Sequence, residues 1–359
     1  MTAGDPILER WQERVRAAHA ARTPLAIRGG GTKAFYGEPV AGEPFDTREY
    51  AGIVDYEPTE LVVTVRAGTL LADVERALAS EGQMLAFEPP HFAPGATVGG
   101  TVAAGLSGPR RPYAGAVRDH MLGVRIVDGR GEALAFGGRV MKNVAGFDVT
   151  RLMTGALGTL GIVAEASIKC LPVPRVEATR AFEVSADEGI RRVNEWGGKP
   201  LPLSASCFAG GRLLVRLSGA AAAVESAIAK LGGEAVAEGA AFWASVRDHA
   251  HPFFASARDG APVWRLSVRS TAPYADLGGE TLIEWGGALR WLVAPRADAA
   301  KLRAWAWANG GHATLFSAQE RAASALHPLP GPLAGLHARL RAEFDPRGIL
   351  NPGRMGAVA

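Results

Sequence analysis

Two cysteines in 359 residues, Cys170 and Cys207, are too few for a disulfide scaffold, and this chain alone cannot hold a cysteine-ligated iron–sulfur cluster. A reducing, cytoplasmic setting fits that scarcity. Long hydrophobic runs are missing too. Nowhere do 18 uncharged apolar residues follow one another, and Met1 to Arg16 carries acids and a tryptophan where a signal peptide carries an apolar core. No transmembrane segment is expected, which leaves peripheral attachment to a membrane through a partner. Charge of one sign is equally scarce, with 39 basic against 36 acidic residues and only isolated pairs such as Arg110-Arg111 and Arg191-Arg192, which argues against nucleic acid. His249 and His251 lack a third ligand at metal spacing, so no metal site is expected. The Gly198-Lys199 pair is followed by Pro200, which excludes a P-loop.

Glycine, by contrast, gathers in three stretches. Arg28-Gly29-Gly30-Gly31-Thr32 closes the apolar run Leu25-Ala26-Ile27. Consecutive residues without Cβ can point successive backbone N–H groups into one concavity, the shape of an anion cradle. Taken alone, a triple glycine also reads as a flexible surface turn. Gly29, Gly31 and Ala34 satisfy the dinucleotide fingerprint G-x-G-x-x-G/A, but that fingerprint must open a helix, and Gly37 and Pro39 stand where its first turns would lie. The second stretch runs from Pro94 to Gly105 and the third from Gly155 to Gly161. Three such grips suggest one long, phosphate-bearing ligand.

The pattern around them is α+β. Pro6 to Ala20 has the spacing of an amphipathic helix, and Pro24 to Arg28 that of a strand. Leu61 to Arg66 alternates like a half-buried strand. Thr69 is placed to cap a helix through Leu71, Val74 and Leu78 that stops at Gly82, and the change of period predicts βα units. Strands are expected at Met121–Val127, Glu132–Phe136 and Ile162–Leu171, before a boundary at Pro172 and Pro174. A smaller unit should follow, with strands near Ala181–Val184, Leu213–Leu217, Val263–Val268 and Leu289–Val293. Two helices should join them, one over Ala220–Leu231 and one from an Asp298 cap to Gly310. Trp285, Trp291, Trp305 and Trp307 are expected to fill its core. Leu333, Leu336, Leu340 and Phe344 form the apolar stripe of a last helix. The expected parts are residues 1–172, 175–329 and 330–359.

As a set, the glycine stretches resemble the FAD-binding fold of the vanillyl-alcohol oxidase and p-cresol methylhydroxylase (PCMH) type. The resemblance implies two α+β subdomains for FAD, a cap-like domain, and a C-terminal tail that returns to the flavin domain. It implies that Arg28, Gly29, Gly30, Gly31 and Thr32 cradle the pyrophosphate, with Pro94, Thr97, Gly99 and Gly100 on the flavin side. There the Thr97 hydroxyl can donate to a phosphate oxygen. Gly115 and Asp119 fall in the place of an R-Y-G-x-x-x-D element, with one residue inserted beside Tyr113. Gly158, Gly161 and Ile162 match the strand edge at the adenine end, where a side chain would collide with the ligand. Asn351, in the terminal Asn-Pro-Gly, becomes a hydrogen-bond partner for the isoalloxazine ring. Relatives that bond flavin covalently use a histidine after the first glycine loop. Thr32 and Lys33 stand there, so FAD is expected to be non-covalent.

Lys142 to Asp148, Trp264 to Val268, Glu284 to Trp291, Gly311 to Phe316 and Phe344 to Met355 are further similar to the smaller FAD-binding subunit of bacterial glycolate oxidases. That similarity implies partners: a larger FAD-containing subunit and an iron–sulfur subunit, which together oxidise glycolate, a small 2-hydroxy acid, to glyoxylate. The larger subunit's relatives carry a histidine-rich metal site that has no counterpart in this sequence. A self-sufficient FAD dehydrogenase of a small 2-hydroxy acid and a flavin-free assembly scaffold are the alternatives. Such an oxidation needs a cation for the substrate carboxylate and a base for its hydroxyl. Arg265 and Arg290, on apolar strands, are candidates for the cation, and also for structural pairing with Glu284. His312 and His91 are candidates for the base.

Overall fold

The computed structural model describes residues 5–138, 148–321 and 323–356, so Lys142–Phe147 of the motif ending at Asp148 lie outside the described residues. Asp5 starts the first helix, Pro6–Ala21, by accepting from the Ile7 N–H at 3.1 Å, and Arg22 ends it in the left-handed region. Leu8, Trp11, Val15 and Ala18 recur three and four apart, so the helix buries one stripe against Leu25, Phe45, Tyr50 and Leu350.

Leu25–Arg28 pairs in parallel with Glu43–Asp46, and Leu25 also bridges in parallel to Leu350 near the C-terminus. Two larger sheets, both antiparallel throughout, hold most other strands. The first has the order Ile53–Glu57, Val62–Arg66, Ile162–Lys169, Met121–Val127, Ala133–Gly137. The expected βα units therefore build no parallel sheet here. Helix Leu71–Ser80 instead lays Leu71, Val74 and Leu78 on the face that carries Val63 and Val65. Val62–Arg66 is an interior strand covered on both faces, and on the far side Thr64 bonds Ser167 at 2.9 Å. Its burial is continuous where alternation predicted half-exposure. Thr69 is not the cap of the helix that follows. Leu70 occupies that position without a side-chain bond, while the Thr69 hydroxyl lies 2.7 Å from the Arg66 carbonyl and accepts from the Gly52 N–H at 2.9 Å.

The chain leaves this sheet around Val173 and enters one of eight strands. Their order is Glu234–Ala235, Val176–Glu183, Arg212–Gly219, Leu203–Ala209, Glu280–Glu284, Leu289–Val293, Val263–Ser267, His312–Ser317. It is the larger of the two sheets. Helices Ala186–Gly197 and Ala221–Leu231 cover one face through Val193, Trp196 and Val224. The other face presents Trp291 and Phe316, with Trp243 of the helix Gly239–Arg247, to Leu106, Leu157, Phe35 and Phe92 of the N-terminal half, so the two halves share one apolar core. Trp285 and Trp291 are buried as expected, but Trp307 is 61% exposed with its ring stacked on His327. The last helix, Gly331–Phe344, also departs from expectation: it buries no residue fully, and Leu333 and Leu336 lie open to solvent. Only its C-terminal end is held, through Phe344, whose carbonyl accepts from the Gly129 N–H at 2.8 Å.

Candidate functional site

All three glycine stretches converge on one cavity of about 450 Å³. Its walls include Arg28 to Ala34, Thr97, Gly99 and Gly100, and Leu157, Gly158, Gly161 and Ile162, with Asn351 and Arg354 from the C-terminal tail. Among the described residues, the backbone N–H groups of Gly29, Gly30, Gly31 and Thr32 have no acceptor. Four adjacent unpaired donors facing a cavity suit an anion with several oxygens, as a pyrophosphate is. The wall also carries apolar Ile27, Ala104, Leu157 and Val163, which suit a stacked ring. The residues present therefore fit a dinucleotide with its phosphates against the first loop.

The local sequence explains this arrangement. Gly31 has φ of +73°, which β-carbon-bearing residues avoid, and the Arg28 guanidinium lies beneath it. Thr97 caps the helix Val98–Ala104, its oxygen accepting from the Gly100 N–H at 3.3 Å, so its hydroxyl hydrogen remains available to a ligand. Gly158 and Gly161 line the cavity as expected, and the fold adds its own reasons for glycine there. Gly158 has φ of +74°, and a β-carbon there would lie 2.7 Å from Asn351 Nδ2, whereas one at Gly161 would lie 3.0 Å from the Ile126 side chain and need only a small shift of it. Pro94, Gly115 and Asp119 lie outside the cavity wall, and the Asp119 carboxylate closes a local turn by accepting from the Ala116 N–H at 2.9 Å.

Asn351 reaches the cavity, but both ends of its amide are engaged. Oδ1 accepts from the Ile27 N–H at 2.7 Å and Nδ2 donates to the Leu157 carbonyl at 2.8 Å, which staples the tail across the first strand and third loop. The geometry gives it this holding role, with one N–H of its amide still free beside the cavity. Arg354, which sequence reasoning missed, donates to the carbonyls of Glu38 and Ala34 at 2.8 and 2.9 Å and so fixes the segment leaving the triple glycine. Thr32 and Lys33 both line the cavity, and burial presses the Lys33 ammonium down to about 8 against the opposing field of Asp248.

Residues 8–137 match a family model described as an FAD binding domain. Over 345 residues the chain is 48% identical to the glycolate oxidase subunit GlcE of Escherichia coli (strain K12), with 96% of each chain covered. The chain belongs to the GlcE family. It is also 35% identical over 160 residues to the glycolate oxidase subunit GlcD of Bacillus subtilis (strain 168), covering 44% of this chain and 34% of that one. Among solved structures, an alkyldihydroxyacetonephosphate synthase superposes with a TM-score of 0.65 at 16% identity, covering 96% of this chain and 74% of that one. The fold is thus the PCMH-type FAD-binding fold, and the chain is a flavoprotein of an oxidoreductase family.

In this GlcE-family chain a second group of polar residues lies where the two halves meet. Arg265 is half-buried between the rings of Trp285 and Trp291, at 5.2 and 5.9 Å. Arg290 is elsewhere and fully used: it donates to the carbonyls of Gly287, Pro273 and Ala272 and lies 5.4 Å from the Trp305 ring, so it ties loops together. His312 sits at the outer end of an edge strand, 6.4 Å from the His327 ring, with burial and Arg265 both lowering its pKa. His91 is turned to Glu75 at 2.9 Å. His249, 3.9 Å from the Phe254 ring in a stacked arrangement, is held neutral, with burial lowering it to about 3.

Glu284 does not pair with either arginine. Its Oε2 accepts from the Trp291 indole at 2.8 Å and its Oε1 has no partner. Burial pushes its carboxyl from 4.5 up to about 7, against the pull of that bond and of Arg265. The folded protein therefore holds this proton more tightly than the unfolded chain. The stability it contributes is complete below about pH 4.5 and is lost as pH rises through about 7. Glu284→Gln is expected to flatten that slope and to be more stable than the parent at about pH 8 in urea unfolding. Parallel pH profiles for the two proteins would rule Glu284 out as the titrating group.

Proposed function

We propose that this chain is the FAD-binding subunit of a glycolate oxidase complex that converts glycolate to glyoxylate together with a larger flavoprotein subunit and an iron–sulfur subunit. The convergence of three glycine loops, with four open N–H groups, on one cavity carries this reading. In it, residues 1–172 bind FAD, 175–329 form a cap and 330–359 close back on the cofactor. Arg28 to Thr32 hold the pyrophosphate, Thr97, Gly99 and Gly100 flank it, and Gly158, Gly161 and Ile162 border the adenine end. Gly115 and Asp119 shape a turn outside the wall. Bound FAD would supply a two-electron acceptor for a 2-hydroxy acid. The protein's own part is to orient the substrate and exclude water, for which Phe35, Phe92, Trp291 and Phe316 provide an apolar wall.

FAD is held without a covalent bond, because Thr32 and Lys33 occupy the linking position. Acid denaturation is expected to leave all of the yellow colour in the supernatant, and flavin retained on the precipitated polypeptide would refute this. The protein works in the cytoplasm and meets the inner membrane only through its partners. No helix among the described residues is long and apolar enough to cross a membrane.

A second reading, a dehydrogenase complete in itself, is favoured by Arg265, a cation without a hydrogen-bond acceptor or ion pair among the described residues. Anaerobic addition of glycolate to the co-purified complex and to this chain alone separates the two. Bleaching of the flavin in the complex only supports the subunit reading, and bleaching in the isolated chain supports the second. A colourless chain with no affinity for FAD would overturn both in favour of an assembly scaffold.

A further inference from the structure

Two guanidinium groups approach the same indole from the two halves of the molecule. Arg111, just after the second glycine stretch, lies 4.4 Å from the Trp285 ring, and Arg265, on the eight-stranded sheet, lies 5.2 Å from it. Among the described residues neither guanidinium has a hydrogen-bond acceptor or an ion-pair partner. Burial lowers the pKa of each, and the field of Arg265 lowers Arg111 further. Two desolvated like charges brought together without an anion are unfavourable, so the arrangement calls for one. Asp119 acts on Arg111 and Glu284 on Arg265 only through space, with no ion pair among the described residues, and Glu284 is 4% exposed with its Oε2 taken by Trp291. Tyr36, on the segment that leaves the triple glycine, is close enough to act on Arg265 electrostatically, which sets this cluster beside the end of the cavity wall.

We propose that Arg111 and Arg265 form, beside Trp285, a subsite for the carboxylate of the 2-hydroxy acid. The inference rests on the proposed function, which makes a small 2-hydroxy acid the substrate. Each guanidinium offers a planar fork that matches a carboxylate, and neither fork is used by the fold. Because one arginine comes from each half, the subsite exists only when the two sheets are docked. Arg111 is then a specificity-determining residue, selecting a short acid whose carboxylate can reach both forks.

Oxalate tests this without turnover, since it keeps the carboxylate and offers no C–H bond to oxidise. Its binding to the full chain loaded with FAD is read by calorimetry and by quenching of tryptophan fluorescence. Arg111→Gln and Arg265→Gln are each expected to weaken oxalate binding about tenfold or more, with the flavin absorption spectrum and FAD affinity unchanged. Arg111→Lys, which keeps the charge and loses the fork, is expected to fall between parent and Arg111→Gln. Parent-like oxalate binding by Arg111→Gln would overturn the proposal. So would loss of FAD affinity in a folded Arg111→Gln, because the guanidinium would then serve the cofactor. FAD-loaded parent that binds no oxalate sinks the subsite and leaves the flavin reading standing, whereas a parent that takes up no FAD fails at that earlier step, visible before oxalate is added.

Discussion

Gly30→Ala is expected to abolish FAD uptake, lowering affinity about a hundredfold or more, equivalent to roughly 3 kcal/mol. A β-carbon built at this position lies 1.7 Å from the Gly95 carbonyl oxygen and 2.6 Å from the Gly95 carbonyl carbon. Both are backbone atoms, so no side chain can rotate away, and ordinary contact near ~3.5 Å requires the first and second loops to move apart. That movement also withdraws the N–H groups of Gly29 and Gly31 from the place where they converge. The same addition at Gly29 meets the Thr97 Oγ1 at 2.3 Å, where rotation of one side chain relieves the clash at the expense of a helix cap. Gly29→Ala should therefore be milder. Gly197→Ala, at the end of a helix with nothing within 4 Å, is the control and is expected to leave FAD affinity alone and stability equal or slightly higher. Equilibrium titration of each apoprotein with FAD, followed by flavin fluorescence, gives the comparison. Parent-like affinity in Gly30→Ala would mean that the two loops do not have to touch for the site to form.

The importance of Gly30 could be read in the sequence, although its cause could not. Three glycines after a short strand mark an unusual backbone, but the nearest neighbour of Gly30 is Gly95, 65 positions away, and one sequence does not state that contact. The strands legible in advance were those whose apolar residues alternate or run together, such as Met121–Val127 and Leu289–Val293. Leu203–Ala209 was missed because its buried positions are filled by Ser204, Ala205, Ser206 and Cys207, small residues that carry little apolar signal. Val62–Arg66 was found but misread as half-exposed, since burial on both faces depends on strands that join it from residues 53–57 and 162–169. The same limit applies at the site. Arg28 to Thr32 stood out through local composition, whereas Arg111, Arg354 and Glu284 acquire meaning only from partners brought in by the fold. Arg290 shows the converse: a strand arginine among apolar residues looked poised for a ligand, and three backbone carbonyls had already claimed it.

Removing the Glu88 carboxylate is expected to lower stability by about 3–5 kcal/mol, the usual effect of leaving buried charges without their partner. Glu88 belongs to the N-terminal half and holds a left-handed backbone at φ 49°. Its Oε2 accepts from the Arg110 N–H at 2.8 Å, and its Oε1 meets Arg110 Nε at 3.3 Å and Arg216 Nη2 at 2.8 Å. Arg216 comes from the eight-stranded sheet, where its Nε donates to the Ser204 hydroxyl at 3.0 Å and its guanidinium lies 5.3 Å from the Trp243 ring. Arg110 also pairs with Glu177 of that sheet, and Ser218 donates to the same carboxylate at 2.7 Å. With side chains of Arg110 and Arg216 only 9% and 5% exposed, solvent cannot replace Glu88. Glu88→Gln therefore leaves Arg216 desolvated without its ion-pair partner, and Arg110 with Glu177 alone, at the junction of the halves. Its urea midpoint should fall well below the parent's, and the second-half tryptophans should report the loss together with the flavin site. Adding Arg216→Met to Glu88→Gln should recover a substantial part of the loss, because it removes the stranded charge. A double variant as unstable as the sum of the single ones would show that the pair does not act as a unit. If Glu88→Gln alone unfolds at the parent's midpoint, docking of the two halves rests on their shared apolar core, not on this buried ionic junction.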